Sequence, residues 1–231
     1  MQRRRIGSLE VSVVGLGGNN FGWTMTSEQT TRVVRAALDA GITYFDTADA
    51  YGAGASERDL AAALGDRRDE AVIATKFGAP STVPDGLRGG SAEWVRAACD
   101  ASLKRLGTDR IDHYQLHYQD PSTPVEETLG ALDELVRAGK VREIGCSNVS
   151  ADQLTGADDV AGRLGLAAYR SVQNRYSVLH RVPETDGVLA TCAARDVAFV
   201  PYFPLELGIL TGKYAVGQAA PPGTRLATWD D

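Results

Sequence analysis

Four side chains in the 231-residue sequence could together run acid–base chemistry: Asp46, Tyr51, Lys76 and His117. Asp46 follows the apolar run Ile42-Thr43-Tyr44-Phe45. Tyr51 comes shortly after it in Phe45-Asp46-Thr47-Ala48-Asp49-Ala50-Tyr51-Gly52, which reads as a strand leading into a loop. Lys76 ends the run Ala71–Thr75 and His117 ends Ile111–Leu116. A buried lysine beside a tyrosine favours the tyrosinate, and an aspartate keeps the lysine charged and oriented. On that reading the Tyr51 pKa falls below the value of about 10 of a free phenol. His117 would bind a substrate carbonyl oxygen and set its position relative to the proton donor. Taken singly, Tyr51 reads as a packed loop aromatic and Asp46 or Lys76 as a solvated strand end. Their arrival at three successive strand ends is what favours function. His113 is on the same strand face as His117, so spacing alone does not rank the two. His180 falls in a loop and reads as solvated.

Further strand ends carry hydrogen-bonding groups. Gly145-Cys146-Ser147-Asn148 and Val172-Gln173-Asn174-Arg175-Tyr176 bring Ser147, Asn148 and Gln173 to loop entrances. Such a set suits an uncharged planar carboxamide, which offers one acceptor and two donors. Helix capping by Ser147 or Ser150 is an equally ordinary use. In Pro201-Tyr202-Phe203-Pro204-Leu205 the aromatic Tyr202 stands where a flat ring could stack, although an aromatic there also reads as core.

The elements that must position these groups are short apolar runs alternating with longer amphipathic stretches. Seven runs read as strands: Val11–Leu16, Ile42–Phe45, Ala71–Thr75, Ile111–Leu116, Val141–Cys146, Tyr169–Val172 and Val197–Val200. Six stretches read as helices: Ser27–Ala40, Ser56–Leu64, Ser91–Leu106, Pro124–Ala138, Ala151–Leu164 and Pro183–Arg195. Ser27 and Ser91 read as N-caps, and Gly41, Gly65, Gly107 and Gly139 as stops. No linker interrupts the repeat, which implies one domain over residues 1–231. Repeated βα units suit an open doubly wound sheet or a closed (β/α)8 barrel. Polar residues at many successive strand ends favour the barrel. The opening Val13-Val14-Gly15-Leu16-Gly17-Gly18 lacks the G-x-G-x-x-G spacing of a Rossmann turn. Seven strands do not close an eight-stranded barrel, so the last helix–strand–helix segment is expected to be missing.

Composition narrows the function classes. Hydrophobic residues make up 43% and charged residues 23%, as in an ordinary globular chain with a sizeable core. The net charge of -6 has the wrong sign for a nucleic-acid binder. No apolar run reaches the roughly 18 residues of a membrane span, and the start carries no secretory segment, so a cytoplasmic location is expected. Cys99, Cys146 and Cys192 form no CxxC pair, which argues against a disulfide framework or zinc site and fits a reduced compartment. Trp23, Trp94 and Trp229 should provide intrinsic fluorescence.

These motifs resemble the aldo-keto reductases. The resemblance rests on Phe45–Gly52, Thr75-Lys76-Phe77-Gly78, His117 and Gly145–Asn148. It extends to Gly15-Leu16-Gly17-Gly18-Asn19-Asn20-Phe21-Gly22, Gln173-Asn174-Arg175-Tyr176 and Leu210-Thr211-Gly212-Lys213-Tyr214. It implies a (β/α)8 barrel that uses NADPH, with NADH possible, to reduce an aldehyde or ketone without a metal. Tyr51 would then be the general acid, Lys76 and Asp46 would tune it, and His117 would position the carbonyl. Ser147, Asn148 and Gln173 would hold the nicotinamide carboxamide and Tyr202 would stack on its ring, with Gly17, Gly18 and Asp46 also against the cofactor. Leu205, Gly208, Leu210 and Lys213 would cover the pyrophosphate. The basic stretch expected after the eighth strand, which would read a 2′-phosphate, is not in the chain, so a preference for NADPH is inherited from the family alone. Phe203 stands where many relatives carry serine. Trp23, Tyr118 and Arg175 are the expected pocket lining. Two other readings compete: a non-catalytic nucleotide-binding sensor or partner subunit, and an inactive fragment. The substrate and the oligomeric state are not legible.

Overall fold

In the computed structural model, residues 1–215 and 217–228 are described; Trp229 lies outside them. The chain opens with an antiparallel hairpin, β1 (Arg3–Ile6) and β2 (Leu9–Ser12). The expected first strand Val11–Leu16 is therefore corrected: its residues are divided between β2 and β3 (Gly15–Gly17). Unbroken hydrophobicity hid the break, where Ser12 Oγ donates to Val14 O at 2.6 Å and accepts from the Thr43 amide at 2.9 Å.

The next strands are β4 (Tyr44–Asp46), β5 (Val72–Phe77), β6 (Ile111–Leu116), β7 (Val141–Ser147), β8 (Ser171–Gln173) and β9 (Ala198–Phe199). With β3 they form one seven-stranded parallel sheet in chain order. Helices α1 (Ser27–Asp39), α2 (Ala55–Leu64), α3 (Ala92–Leu106), α4 (Val125–Arg137), α5 (Ala151–Leu164) and α6 (Val188–Ala194) join them. The sheet curls, because Tyr44 on β4 and Ser171 on β8 both reach His113 on β6. The arrangement matches seven strands of a (β/α)8 barrel. Among the described residues β3 and β9 are each paired on one side only.

Each helix follows from its caps and its apolar stripe. α1 begins at Thr26, not at the expected cap Ser27, in a capping box with Gln29. Ser91 caps α3, and Ser150 caps α5 in a second box with Gln153. Ser150 thus does the capping, which leaves Ser147 free for another use. The last expected helix is shorter than predicted: Pro183 sits in a 3-10 turn (Val182–Glu184), and α6 starts only after Gly187. Spacings of three and four put Val95, Ala98, Cys99, Ser102 and Leu106 of α3 on the buried face. The main core lies between helices and sheet. A smaller cluster of Ile6, Leu9 and Val11 from the hairpin packs on Tyr44 and Ala74 and plugs the amino-terminal end of the barrel. Among the described residues no helix is long and apolar enough to cross a membrane.

Candidate active site

Alternation along a strand sends every second side chain to the same face. In the parallel register Lys76 lies opposite Gln115, and Gln115 opposite Gly145. The inward positions build layers above the hairpin plug. The lower layer is neutral: Tyr44 Oη lies 2.9 Å from His113 Nδ1, and Ser171 Oγ lies 2.8 Å from His113 Nε2. Gly145 makes room for it, since a Cβ there would sit 2.3 Å from Ser171 Oγ and 2.6 Å from His113 Nε2. Burial pushes the His113 imidazole down to about 4 and keeps it uncharged.

The next layer carries charge. Lys76, fully buried, donates from Nζ to Asp46 Oδ2 at 2.7 Å and to Thr47 O at 2.9 Å. The other carboxylate oxygen, Asp46 Oδ1, accepts from Gln115 Nε2 at 3.2 Å and from Gln173 Nε2 at 3.1 Å. Burial alone would lower the Lys76 pKa, but the Asp46 charge and the hydrogen bonds to Asp46 and Tyr51 more than offset it and hold the ammonium above its usual range. The lysine therefore stays protonated deep in the barrel, as a buried ammonium must have an anionic partner to do.

Tyr51 and His117 stand above this pair. Tyr51 heads a 3-10 turn (Tyr51–Gly54), with Lys76 Nζ 5.2 Å from its ring centroid. Its ring meets that of His117 edge-on, at 5.9 Å and 83°. The expected depression of the Tyr51 pKa is not found. Burial raises it, Lys76 pulls it down without overcoming that, and Asp46 adds to the rise. The phenol accordingly keeps its proton. His117 is pushed down to about 4 by burial and by the Lys76 charge, so it is a neutral imidazole at pH 7. It stacks on Tyr118, with ring centroids 4.7 Å apart, and its Nδ1 is buried with no hydrogen-bond partner in the described structure. Geometry thus separates the two histidines that spacing left equal.

A third set lies at the ends of β7 and β8. Ser147 Oγ donates to Gln173 O at 2.7 Å and accepts from Asn148 Nδ2 at 3.0 Å. Asn148 Nδ2 also donates to His117 O at 3.1 Å, while Tyr202 Oη donates to Asn148 Oδ1 at 2.9 Å. Ser147, Asn148, Gln173 and Tyr202 therefore form one group beside His117. Gly17 pairs with Asp46 in the sheet and has open space where a side chain would be. The amide of Gly18 donates to Asp46 O at 2.7 Å, and a Cβ at Gly18 would press on Phe21.

The outer residues are less gathered. Leu205 and Leu210 are exposed on the segment around a 3-10 turn (Glu206–Thr211), Gly208 lies within that turn at φ +93°, and Lys213 Nζ approaches the Tyr214 ring at 5.3 Å. Trp23 is 61% and Tyr118 45% exposed, as mouth residues would be. Arg175 is ion-paired with buried Glu206, which also accepts from Ser177 Oγ at 2.5 Å, so its guanidinium is engaged within the protein. Sequence reasoning missed Gln115 and Glu206. Gln115 was findable, because it lies between His113 and His117 on the inward alternation; Glu206 carries no local signal.

A model of the Aldo/keto reductase family matches residues 13–228. The chain is 38% identical over 213 residues to probable aldo-keto reductase 1 of Glycine max, covering 90% of this chain and 60% of that protein. It is 38% identical over 211 residues to aldo-keto reductase YhdN of Bacillus subtilis, covering 89% and 62% respectively. It is 35% identical over 227 residues to aldo-keto reductase yakc of Schizosaccharomyces pombe, whose name specifies NADP(+), covering 95% and 66%. The chain spans 60% of the length of the first of these relatives and 66% of the last. With a family match across most of its length and a parallel, inward-charged barrel sheet to carry it, the chain belongs to the aldo/keto reductase family.

Proposed function

We propose that this chain is an oxidoreductase that reduces an aldehyde or ketone to an alcohol with a nicotinamide nucleotide, and that residues 1–231 act as one domain. The observation that carries the reading is the contiguity of a protonated phenol, a buried ammonium paired with a part-buried carboxylate, and a neutral imidazole with an unspent ring nitrogen. Residue chemistry suits the nucleotide: Ser147, Asn148 and Gln173 offer amide and hydroxyl groups on adjoining strand ends, Tyr202 offers a ring, and Gly17 lets a ligand approach the backbone. Leu205, Gly208, Leu210 and Lys213 are the proposed cover of the pyrophosphate. When bound, the reduced nicotinamide supplies the hydride. NADPH is the proposed form, in line with the name of the yeast relative; NADH remains the comparison to run.

The chain's own residues supply binding, orientation and a proton. Tyr51 donates its phenolic proton to the developing alkoxide at the carbonyl oxygen. Lys76, fixed on Asp46, places positive charge beside Tyr51 and stabilises the tyrosinate that remains. Gln115 and Gln173 fix the orientation of the Asp46 carboxylate through two amide donors. His117, uncharged, positions the carbonyl oxygen by a hydrogen bond without competing as an acid. Trp23, Tyr118 and Arg175 are the proposed surroundings of the substrate.

Quenching of the intrinsic fluorescence by NADPH, then by NADH, tests the nucleotide half of this reading. Consumption of NADPH with a panel of aldehydes and ketones tests the rest. Absence of binding by a folded chain sinks the reading; binding without turnover on any carbonyl substrate removes the assigned reaction.

A further inference from the structure

Asp49 lies between Asp46 and Tyr51, is 6% exposed, and has no part in the chemistry above. Its amide donates to Lys76 O at 3.2 Å, which ties its backbone to the strand bearing the lysine. Its Oδ2 accepts from Thr82 Oγ1 at 2.9 Å, and its Oδ1 is buried with no hydrogen-bond partner. Thr82 Oγ1 also lies 3.0 Å from Ala79 O. A hydroxyl has one hydrogen, so Thr82 can donate to the Asp49 carboxylate or to the Ala79 carbonyl, but not fully to both.

The groups around Asp49 do not neutralise it. Glu57 of α2 is wholly buried and committed to Thr75 Oγ1, at 2.6 Å, and to Arg105 of α3. Tyr114 of β6, whose buried hydroxyl is unpartnered, feels the Asp49 charge. Burial pushes the Asp49 carboxyl up to about 6; Thr82, Arg105 and the Ala50 backbone amide oppose the rise and Glu57 adds to it. A buried carboxyl without a cation of its own disfavours its charged form, so it costs stability at neutral pH. Groups of that kind concentrate where function needs them.

Thr82 belongs to the loop between β5 and α3. With residues 118–122, that loop walls a groove of about 420 Å³ lined by Pro80, Val83, Leu87, Tyr118 and Asp120 among others. The Tyr118 wall is the ring stacked on His117, so the groove opens beside the proposed site. We propose that Asp49 is a positioning residue: through Thr82 it fastens the loop bearing Tyr51 to the loop walling the groove beside His117, and its protonation state sets the shape of that entrance. Ionised, Asp49 draws the Thr82 hydrogen to itself. Protonated, its own O–H donates to Thr82 Oγ1 and releases the Thr82 hydrogen to Ala79 O. Ala79 O accepts from the Thr82 amide at 2.9 Å in either case, so the two wirings differ in whether the Thr82 hydroxyl adds a second bond to it or is spent on Asp49. The consequence for substrate rests on the reductase reading; the coupling of the two loops does not.

Hydrogen–deuterium exchange of residues 79–90 in the full chain, corrected for intrinsic rates between pH 5 and 8, tests the coupling without any turnover. In the wild type, protection should change several-fold with a midpoint near pH 6. Asp49→Asn keeps a donor for Thr82 and should show the acid-form protection at every pH. Thr82→Val should raise exchange throughout, and adding Asp49→Asn to it should change nothing further. A pH profile of Asp49→Asn that matches the wild type overturns the proposal, as does full additivity of the two substitutions. In a working reductase assay the same midpoint should appear in KM of the wild type and vanish in Asp49→Asn. A chain with the exchange midpoint but no carbonyl reduction supports the coupling and sinks the reductase reading alone.

Discussion

His113 and His117 sit on the same face of one strand end, and burial pushes both imidazoles down to about 4. Their surroundings differ. His113 spends both ring nitrogens, on Tyr44 and on Ser171, inside a layer sealed from below by the hairpin. His117, one layer higher and beside Tyr51, keeps Nδ1 buried and unpartnered. A depressed pKa therefore marks burial in this barrel, and what separates the two histidines is whether their ring nitrogens are spent on neighbours. The same contrast separates the layers: the lower is neutral and closed, the upper is built on a buried ion pair.

The comparison can be broken at several points. Tyr51→Phe should show the largest effect, a fall in kcat of about 10²- to 10⁴-fold with nucleotide affinity unchanged, since only the proposed proton donor is lost. Unimpaired turnover would remove Tyr51 as the acid. Lys76→Met leaves the Asp46 carboxylate without its cation and should cost about 3–5 kcal/mol in urea unfolding, because an unpaired buried charge is worse than none. The two amides on Asp46 argue for the lower end. A stable Lys76→Met chain would mean that the amides of Gln115 and Gln173 suffice to hold the carboxylate without the ammonium.

Stability against pH separates the histidines next. Each has a folded-state pKa below its unfolded value of about 6.5, so between roughly pH 4 and 6.5 the unfolded chain binds more protons. Stability conferred by each neutral imidazole is complete above pH 6.5 and is lost as the pH falls, by about 3 kcal/mol per histidine. Asp49 works in the opposite sense: its raised pKa lowers stability as the pH rises from about 4 to 6. Denaturant unfolding between pH 4 and 7 should show a shallower acid limb in His113→Asn and a steeper one in Asp49→Asn. His113→Asn should also destabilise the chain at pH 7 more than His117→Asn, because it strips partners from Tyr44 and Ser171. Equal losses would cancel the distinction drawn above. The smallest effect is expected from Gly145→Ala, where the added methyl meets Ser171 and His113; thermal unfolding should register about 1–3 kcal/mol.

Much of this was legible in the residues. The strand and helix order followed from period, and α5 was read at its observed limits, where the structure shows Ser150 capping it and Gly165 stopping it. Errors fell where two elements share one apolar run, as at β2 and β3, and where a proline broke a helical stretch, as before α6. The Tyr51 pKa was misread because pairwise charge can be inferred from residue types, whereas desolvation depends on how completely the fold closes over the ring. Glu206 was invisible because its partners Arg175 and Ser177 come from another strand end.

What the sequence determined by itself was the set of groups and the strand ends that carry them: alternation and capping are local, and they bring Asp46, Lys76, Gln115 and His117 toward one end of a parallel sheet. Tertiary structure decided which of those groups are spent on one another and which are not. The curl of the sheet carries His113 to Ser171 and Gln173 to Asp46 across the barrel, and burial then sets the charge state of each, since hydrogen bonding and desolvation depend on distances that no local pattern encodes.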